Sequence, residues 1–232
     1  VVPLISLASY RSSSKTFDRK ETAELEAKQR MVAFQAAGIG VMFLLFSMVS
    51  AAQSLLEEES TGTLERVLNT RVGMGQLLTG YWLFAALIGA VQVTVMFLWG
   101  WAIFGLDLFS GDHLPGFVIM TVVTASAAAA FGLALGTLCK SQAQLSGLST
   151  IVVLLMSALG GSMVPRFLLK QSPLMDKLGL LTFNAWAIDG YQKIFWYETG
   201  IASLWPQVLF LVGLTVVGLG AARFFARRWE SS

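Results

Sequence analysis

The chain has 232 residues, of which 55% are hydrophobic and only 13% charged, and its mean hydropathy is +0.67. Soluble domains carry about 25% charged residues, and a core of this size could not hide so much apolar surface, which excludes an ordinary soluble globule. The net charge of +2 excludes little by itself, and the single cysteine, Cys139, rules out an internal disulfide.

Residues 1–30 are polar and rich in charge. The chain opens Val1-Val2-Pro3 with no initiator Met and no signal peptide, as a fragment or a processed product would. Asp18 can cap a helix with Glu21 reaching back. Glu24 with Lys28 and Glu26 with Arg30 are favourable pairs four residues apart. The segment therefore reads as an extracytoplasmic tail followed by a solvated lead-in helix.

From residue 31 the pattern changes. Met31–Leu56, Val72–Leu106, His113–Cys139, Ser141–Pro165 and Thr199–Ala222 contain no Asp, Glu, Lys or Arg. A spanning helix needs about 20 apolar residues, so each run is long enough. Spans are expected near 33–56, 77–106, 116–139, 143–164 and 204–225, within a transmembrane domain covering 31–228. The second run exceeds what a bilayer needs, and it is expected to start as an interfacial helix near Met74 before crossing. Tyr81 and Trp82 at one end of it, and Trp99, Trp101 and Phe104 at the other, fit interfacial aromatic belts.

The first span stops at Glu57-Glu58-Glu59, because three consecutive acids cannot sit in hydrocarbon. Ser60-Thr61-Gly62-Thr63 supplies a break with N-cap chemistry. Leu64, Val67 and Leu68 then share one helical face, so a short amphipathic helix is expected over about 62–70. Gly132 and Gly136 suit close helix packing in the third span. Cys139, at the end of that span, reads as a small packing residue. Between the fourth and fifth spans, 166–198 holds Pro173, Trp186, Trp196 and Tyr197 and a short apolar stretch, 178–188. Phe183, Trp186 and Ala187 fit one face, and the segment reads as a helical hairpin in the outer interface. Pro206 falls in the first turn of the last helix, where its missing N–H costs little.

Arg223, Arg227 and Arg228 follow the last span and mark a cytoplasmic C-terminus, which places the N-terminal tail outside. A raw count of Lys and Arg over all loops points the other way. It agrees only if the tail belongs to a longer translocated domain, since long domains cross regardless of charge.

No ionisable residue falls in the middle of a span, which argues against proton-coupled carriers, voltage sensors and intramembrane proteases. His-Glu-x-x-His, Gly-x-Ser-x-Gly and the phosphate-binding Gly-x4-Gly-Lys-Ser/Thr are missing from the sequence. No cofactor, metal or nucleic acid is implied, and His113 beside Asp112 is too sparse a ligand set for a metal. If the protein pumps, its energy arrives from another polypeptide, most simply through the 57–71 loop. Gln53, Gln92, Thr94, Thr124, Ser126, Thr150 and Ser157 read as interhelical hydrogen-bonding residues. Met42, Met48, Met96, Met120 and Met156 read as packing that could also line an adaptable apolar path.

The segment from Glu57 to Gly80, with its acidic run and its Gly62-Thr63-Leu64-Glu65 core, resembles the cytoplasmic signature of the type-2 ABC transporter permease family. Asn184-Ala-Trp-Ala-Ile-Asp-Gly190 before the last span resembles the outer hairpin of the same family. The resemblance covers about residue 31 to the C-terminus. It implies a multidrug-like exporter membrane subunit in the cell (inner) membrane that works as a dimer with a second permease copy or paralogue. It also implies a separate ABC ATPase, met by a coupling helix that draws on Glu58, Glu59, Thr61, Gly62, Thr63, Leu64, Glu65, Arg66 and Leu68. Thr70-Arg71 stands where the family often has Thr-Pro, and Gly80-Tyr81 where it often has Gly-Lys. The family's earlier span and most of its ectodomain are expected to precede Val1. The expected fold is all-α: a polytopic bundle of five spans with a coupling helix and an outer interfacial hairpin. A different class remains open, a non-transporting assembly or sensor subunit that docks a cytoplasmic ATPase through the same loop.

Overall fold

The computed structural model of the protein describes residues 37–68, 72–111, 113–163, 172–197 and 200–230. The N-terminal tail and its lead-in helix lie outside these residues. Among the described residues there is no strand, and the fold is an all-α polytopic membrane bundle. Five helices among the described residues are long and apolar enough to cross a membrane. In chain order they are α1 (Ala37–Ser60), α3 (Met74–Phe104), α4 (His113–Leu138), α5 (Gln142–Gly160) and α8 (Trp205–Glu230). The described residues also form three shorter helices: α2 (Thr63–Leu68), α6 (Pro173–Leu180) and α7 (Phe183–Phe195). A 3₁₀ turn, Ile201–Leu204, leads into α8.

Local chemistry sets the ends. Ser141 Oγ accepts the backbone N–H of Gln144 at 3.2 Å and caps α5. At its other end Gly161 adopts φ 99°, and Ser162 N–H donates to Ser157 O at 3.0 Å. This left-handed stop closes α5 at Gly160, short of the 164 expected from the charge-free run, because composition carries no record of a glycine C-cap. Gly105, at φ 67°, closes α3 in the same way. That helix is a single unbroken rod of 31 residues, not an interfacial piece followed by a span. The rod begins at Met74 because Met74 and Leu78 are already buried in the apolar cluster that joins the ends of the helices.

Helix α4 occupies the centre, with α1, α3, α7 and α8 around it. Its small residues allow the approach. A Cβ on Gly132 would lie 2.6 Å from the Met48 carbonyl oxygen, and one on Gly136 would lie 2.8 Å from Ala52 Cβ, so α1 rides directly on the glycine face of α4. On the opposite side a Cβ on Gly218 of α8 would meet Ala130 Cβ at 3.0 Å. The buried positions of α8 recur as Gln207, Leu211, Thr215, Ala222, Ala226 and Trp229, with Gly218 filling the step between Thr215 and Ala222. The rest of that helix exposes Leu209, Val212, Val216, Val217 and Phe224. Helix α3 likewise exposes Leu87, Val91 and Val95. Such wide apolar faces suit lipid or another apolar protein surface, not water.

Two apolar clusters stack along the bundle. One is centred on Phe97, whose ring lies 4.9 Å from that of Phe117, 5.0 Å from Tyr191 and 5.3 Å from Phe195. It locks the α6–α7 hairpin onto α3 and α4. Tyr191 is fully buried there, and its hydroxyl lies 3.3 Å from Thr121 Oγ1. The second cluster sits at the acidic end and is described below.

The polar residues within spans divide. Gln53 Nε2 donates to Ser146 Oγ at 2.8 Å, joining α1 to α5, and Ser157 accepts from Asn184 at 3.1 Å. Thr94 and Thr150 instead bond back to carbonyls four residues earlier on their own helices. Trp82, expected in an interfacial belt, turns inward and donates to Ser126 O at 3.0 Å. Met48 and Met120 are core residues, and Met42 and Met156 pack partly buried against them.

Candidate functional site

The turn between α1 and α2 is built from short-range hydrogen bonds. Ser60 Oγ and Thr61 Oγ1 donate to Glu57 O at 2.9 and 3.0 Å, and Thr61 N–H reaches the same carbonyl at 3.0 Å. Several last-turn donors thus converge on one carbonyl and end α1 at the acids. Gly62 takes φ 71°, a left-handed conformation that side-chain-bearing residues rarely adopt, and reverses the chain into α2. Thr63 and Thr61 hydroxyls meet at 3.1 Å across the turn.

The nine residues expected at this elbow separate into an anchor and a displayed face. Leu64 is the anchor, 1% exposed. It shares one buried cluster with Leu55 and Leu56 of α1, Met74 and Leu78 of α3, Leu133 and Leu135 of α4, Leu145 of α5 and Ala222, Ala226 and Trp229 of α8. Thr61, Thr63 and Arg66 are exposed, and Glu58, Glu59 and Gly62 are half-exposed. Tyr81 of α3 packs, partly buried, against the same cluster. Glu65 and Leu68 are helical in backbone, but their side chains lie outside the described set. Helix α2 ends at Leu68, and 69–71 are not described.

The residues that seat α2 went unnoticed in the sequence. Trp229, Ala226 and Ala222 lie more than 150 positions downstream, and nothing local links them to the elbow. The only trace they leave is the stripe of small and buried residues along α8. Cys139 belongs to the same cluster, fully buried.

At the opposite end, the Asn184–Gly190 stretch forms most of α7. Asn184 is fully buried and donates to Ser157 Oγ at 3.1 Å and Ser162 Oγ at 2.8 Å, tying α7 to the end of α5. A Cβ on Gly160 would lie 2.5 Å from Asn184 Cβ, which is why the helices can meet there. Asp189 accepts from Gln207 Nε2 at 2.5 Å, and Lys193 donates to Ser203 O at 3.1 Å, so α7 is also pinned to the start of α8. Trp186 stacks on Phe210 with ring centres 4.4 Å apart. His113 Nδ1 lies 2.7 Å from Asp107 O, and its ring sits edge-on to Phe195. Among the described residues no group of three or more His, Cys, Asp or Glu side chains is arranged to hold a metal.

The described residues thus form a five-span apolar bundle with a polar elbow seated on the ends of its helices. Residues 5–224 match the sequence profile described as ABC-2 family transporter protein, and the chain belongs to that family of ABC transporter permeases. It is also similar to the linearmycin resistance permease protein LnrN of Bacillus subtilis (strain 168), with 31% identity over 90 residues. That alignment covers 39% of this chain and 22% of the relative.

Proposed function

We propose that the chain is the membrane-spanning permease of an ATP-driven exporter, forming the substrate path and driven by an ATPase on a separate polypeptide. The observation that carries this reading is the split character of the elbow. Leu64 is sunk among the ends of all five spans, while Thr61, Thr63 and Arg66 face outward. A partner that pushes on the polar face of α2 would move those helix ends together, because a close-packed cluster transmits displacement. The coupling surface is then Glu58, Glu59, Thr61, Gly62, Thr63, Leu64, Glu65, Arg66 and Leu68. Similarity to a resistance permease favours outward transport.

In this reading the elbow and the C-terminal arginines face the cytoplasm and the α6–α7 hairpin lies outside, in a cell inner membrane. A second copy or a paralogue completes the path. The test is co-expression with the cognate ATPase. Gly62→Pro forces φ near −65° where the turn needs +71°, and Glu65→Lys reverses a charge in α2. Both should abolish permease-stimulated ATP hydrolysis while membrane insertion stays normal. Stimulation that survives both substitutions refutes the coupling role.

A further inference from the structure

Helices α3 and α8 both lie along α4 but touch each other little. The stripe of α4 between them runs through Ile119, Val122, Ser126, Ala130 and Thr137, whose spacing puts them on one face. Trp82 of α3 reaches the Ser126 carbonyl, and Gly218 of α8 sits on Ala130. Ile119 and Val122 are exposed, Ser126 is half-buried, and Ala130 and Thr137 are buried. The seam is therefore an apolar groove, open toward the hairpin end and closing toward the elbow end. A cation stands at the closed end. The Arg223 guanidinium of α8 lies over the first turn of α3, where a Cβ on Gly75 would meet its Nη1 at 3.5 Å. Arg223 is the first charge after the apolar run 199–222, and Arg227 follows one turn on, both of them exposed.

Thr79, one turn beyond Gly75, and Val216 and Val212, two and three turns before Arg223, border the groove and are exposed. An acyl chain gains little by leaving bulk lipid for an apolar groove, since the two surroundings are equally apolar. Selectivity must come from the polar end, and its charge is positive. The first turn of α3 carries no acidic side chain, and the run Glu57–Glu59 closes α1, which packs on the opposite side of α4 from α8. We propose that this seam holds an anionic phospholipid, its phosphate on Arg223 and Arg227 and one acyl chain in the groove between α3 and α8. Guanidinium forks match phosphate oxygens two at a time, and basic sites between spanning helices suit anionic headgroups. A zwitterionic lipid brings its own cation to the same place and is disfavoured. The lipid is a resident ligand and not cargo. Its binding needs neither nucleotide nor ATPase, so this site stands or falls independently of the coupling role of α2.

The experiment uses the full-length protein in phosphatidylcholine nanodiscs with a trace of phosphatidylglycerol that carries a diazirine in one acyl chain. Photolabelling should concentrate on Thr79, Val212 and Val216. Unlabelled phosphatidylglycerol should displace the label, whereas phosphatidylethanolamine at the same fraction and inorganic phosphate should not. Arg223→Gln should lower labelling about fivefold, the factor that one cation at the headgroup level supplies. Gly75→Glu keeps both arginines but sets a carboxylate beside the guanidinium, in a first turn where the added Cβ meets nothing else within 4 Å. It should lower labelling as far, and it carries the test if the arginine variant folds poorly. Label spread evenly over the exposed faces of α3, α5 and α8 overturns the proposal. So does displacement by inorganic phosphate or by phosphatidylethanolamine. Crosslinks that join two copies of the chain across the seam in place of lipid adducts overturn it too, as does labelling that survives both substitutions.

Discussion

Replacing Gly132 with alanine tests how closely α1 rides on α4. The new methyl would sit 2.6 Å from the Met48 carbonyl oxygen, 2.7 Å from its carbonyl carbon and 3.0 Å from its Cβ. Ordinary contact begins near 3.4 Å. Two of the three clashing atoms are backbone, so no rotamer change relieves them and α1 must retreat by most of an ångström. That retreat also loosens Leu44, Leu45 and Met48, which are fully buried around the seam. Overpacking of this kind costs about 1–3 kcal/mol. The substitution also removes a helical glycine, worth roughly 1 kcal/mol in the opposite direction. With backbone atoms this close the upper end of that cost applies, so a net loss of about 2 kcal/mol should remain, or roughly 4–8 °C in melting temperature for a chain of this size. Cys139, the sole cysteine and fully buried, provides the assay: a thiol-reactive dye reports its exposure as the detergent-solubilised protein is heated. Gly147→Ala is the control, because nothing lies within 4 Å of its added Cβ, and it should melt at or above the wild-type temperature. If Gly132→Ala melts like wild type, or both variants fall together, the close approach of α1 to α4 is wrong.

Asn184→Ala removes two hydrogen bonds and leaves Ser157 Oγ buried with one partner fewer, so the same assay should show a loss of about 1–3 kcal/mol. The Tyr191 hydroxyl is pushed up to about 12 chiefly by burial, against 10.0 for the free side chain. The unfolded chain therefore loses this proton first, and the stabilisation, complete below pH 10, drains away as pH rises from 10 toward 12. Melting temperatures across that window should fall for the wild-type protein and fall less for Tyr191→Phe.

The spans were legible because a bilayer imposes a length and forbids charge, and both are written in plain runs of residues. The glycines at 132 and 136 announced close packing, but not that α1 would be the neighbour. Partner choice depends on three-dimensional fit, which a one-dimensional pattern does not carry. The stop at Gly161 was missed for a related reason: one glycine among many apolar residues becomes a cap only through its dihedral angle. At the elbow the acids, the glycine and Leu64 stood out by local chemistry. Trp229 and Tyr81, which complete its surroundings, are ordinary interfacial aromatics until the chain folds. His113 drew notice as a rare residue and serves as a hydrogen-bonded lid over Phe195.

The buried stripe of α8 repeats after eleven residues: Gln207 returns as Gly218 and then as Trp229, and Leu211 as Ala222. Eleven residues complete three turns at 3.67 per turn, just above the natural 3.6, which favours a nearly straight rod with a faint right-handed drift over the left-handed coil of a heptad. A single inserted residue would swing everything after it by about 100°. Trp229 would then leave its place beneath the elbow, while the lipid-facing side, apolar nearly all round, would hardly register the change. This helix should therefore accept many substitutions on its outer circumference and almost no change in length.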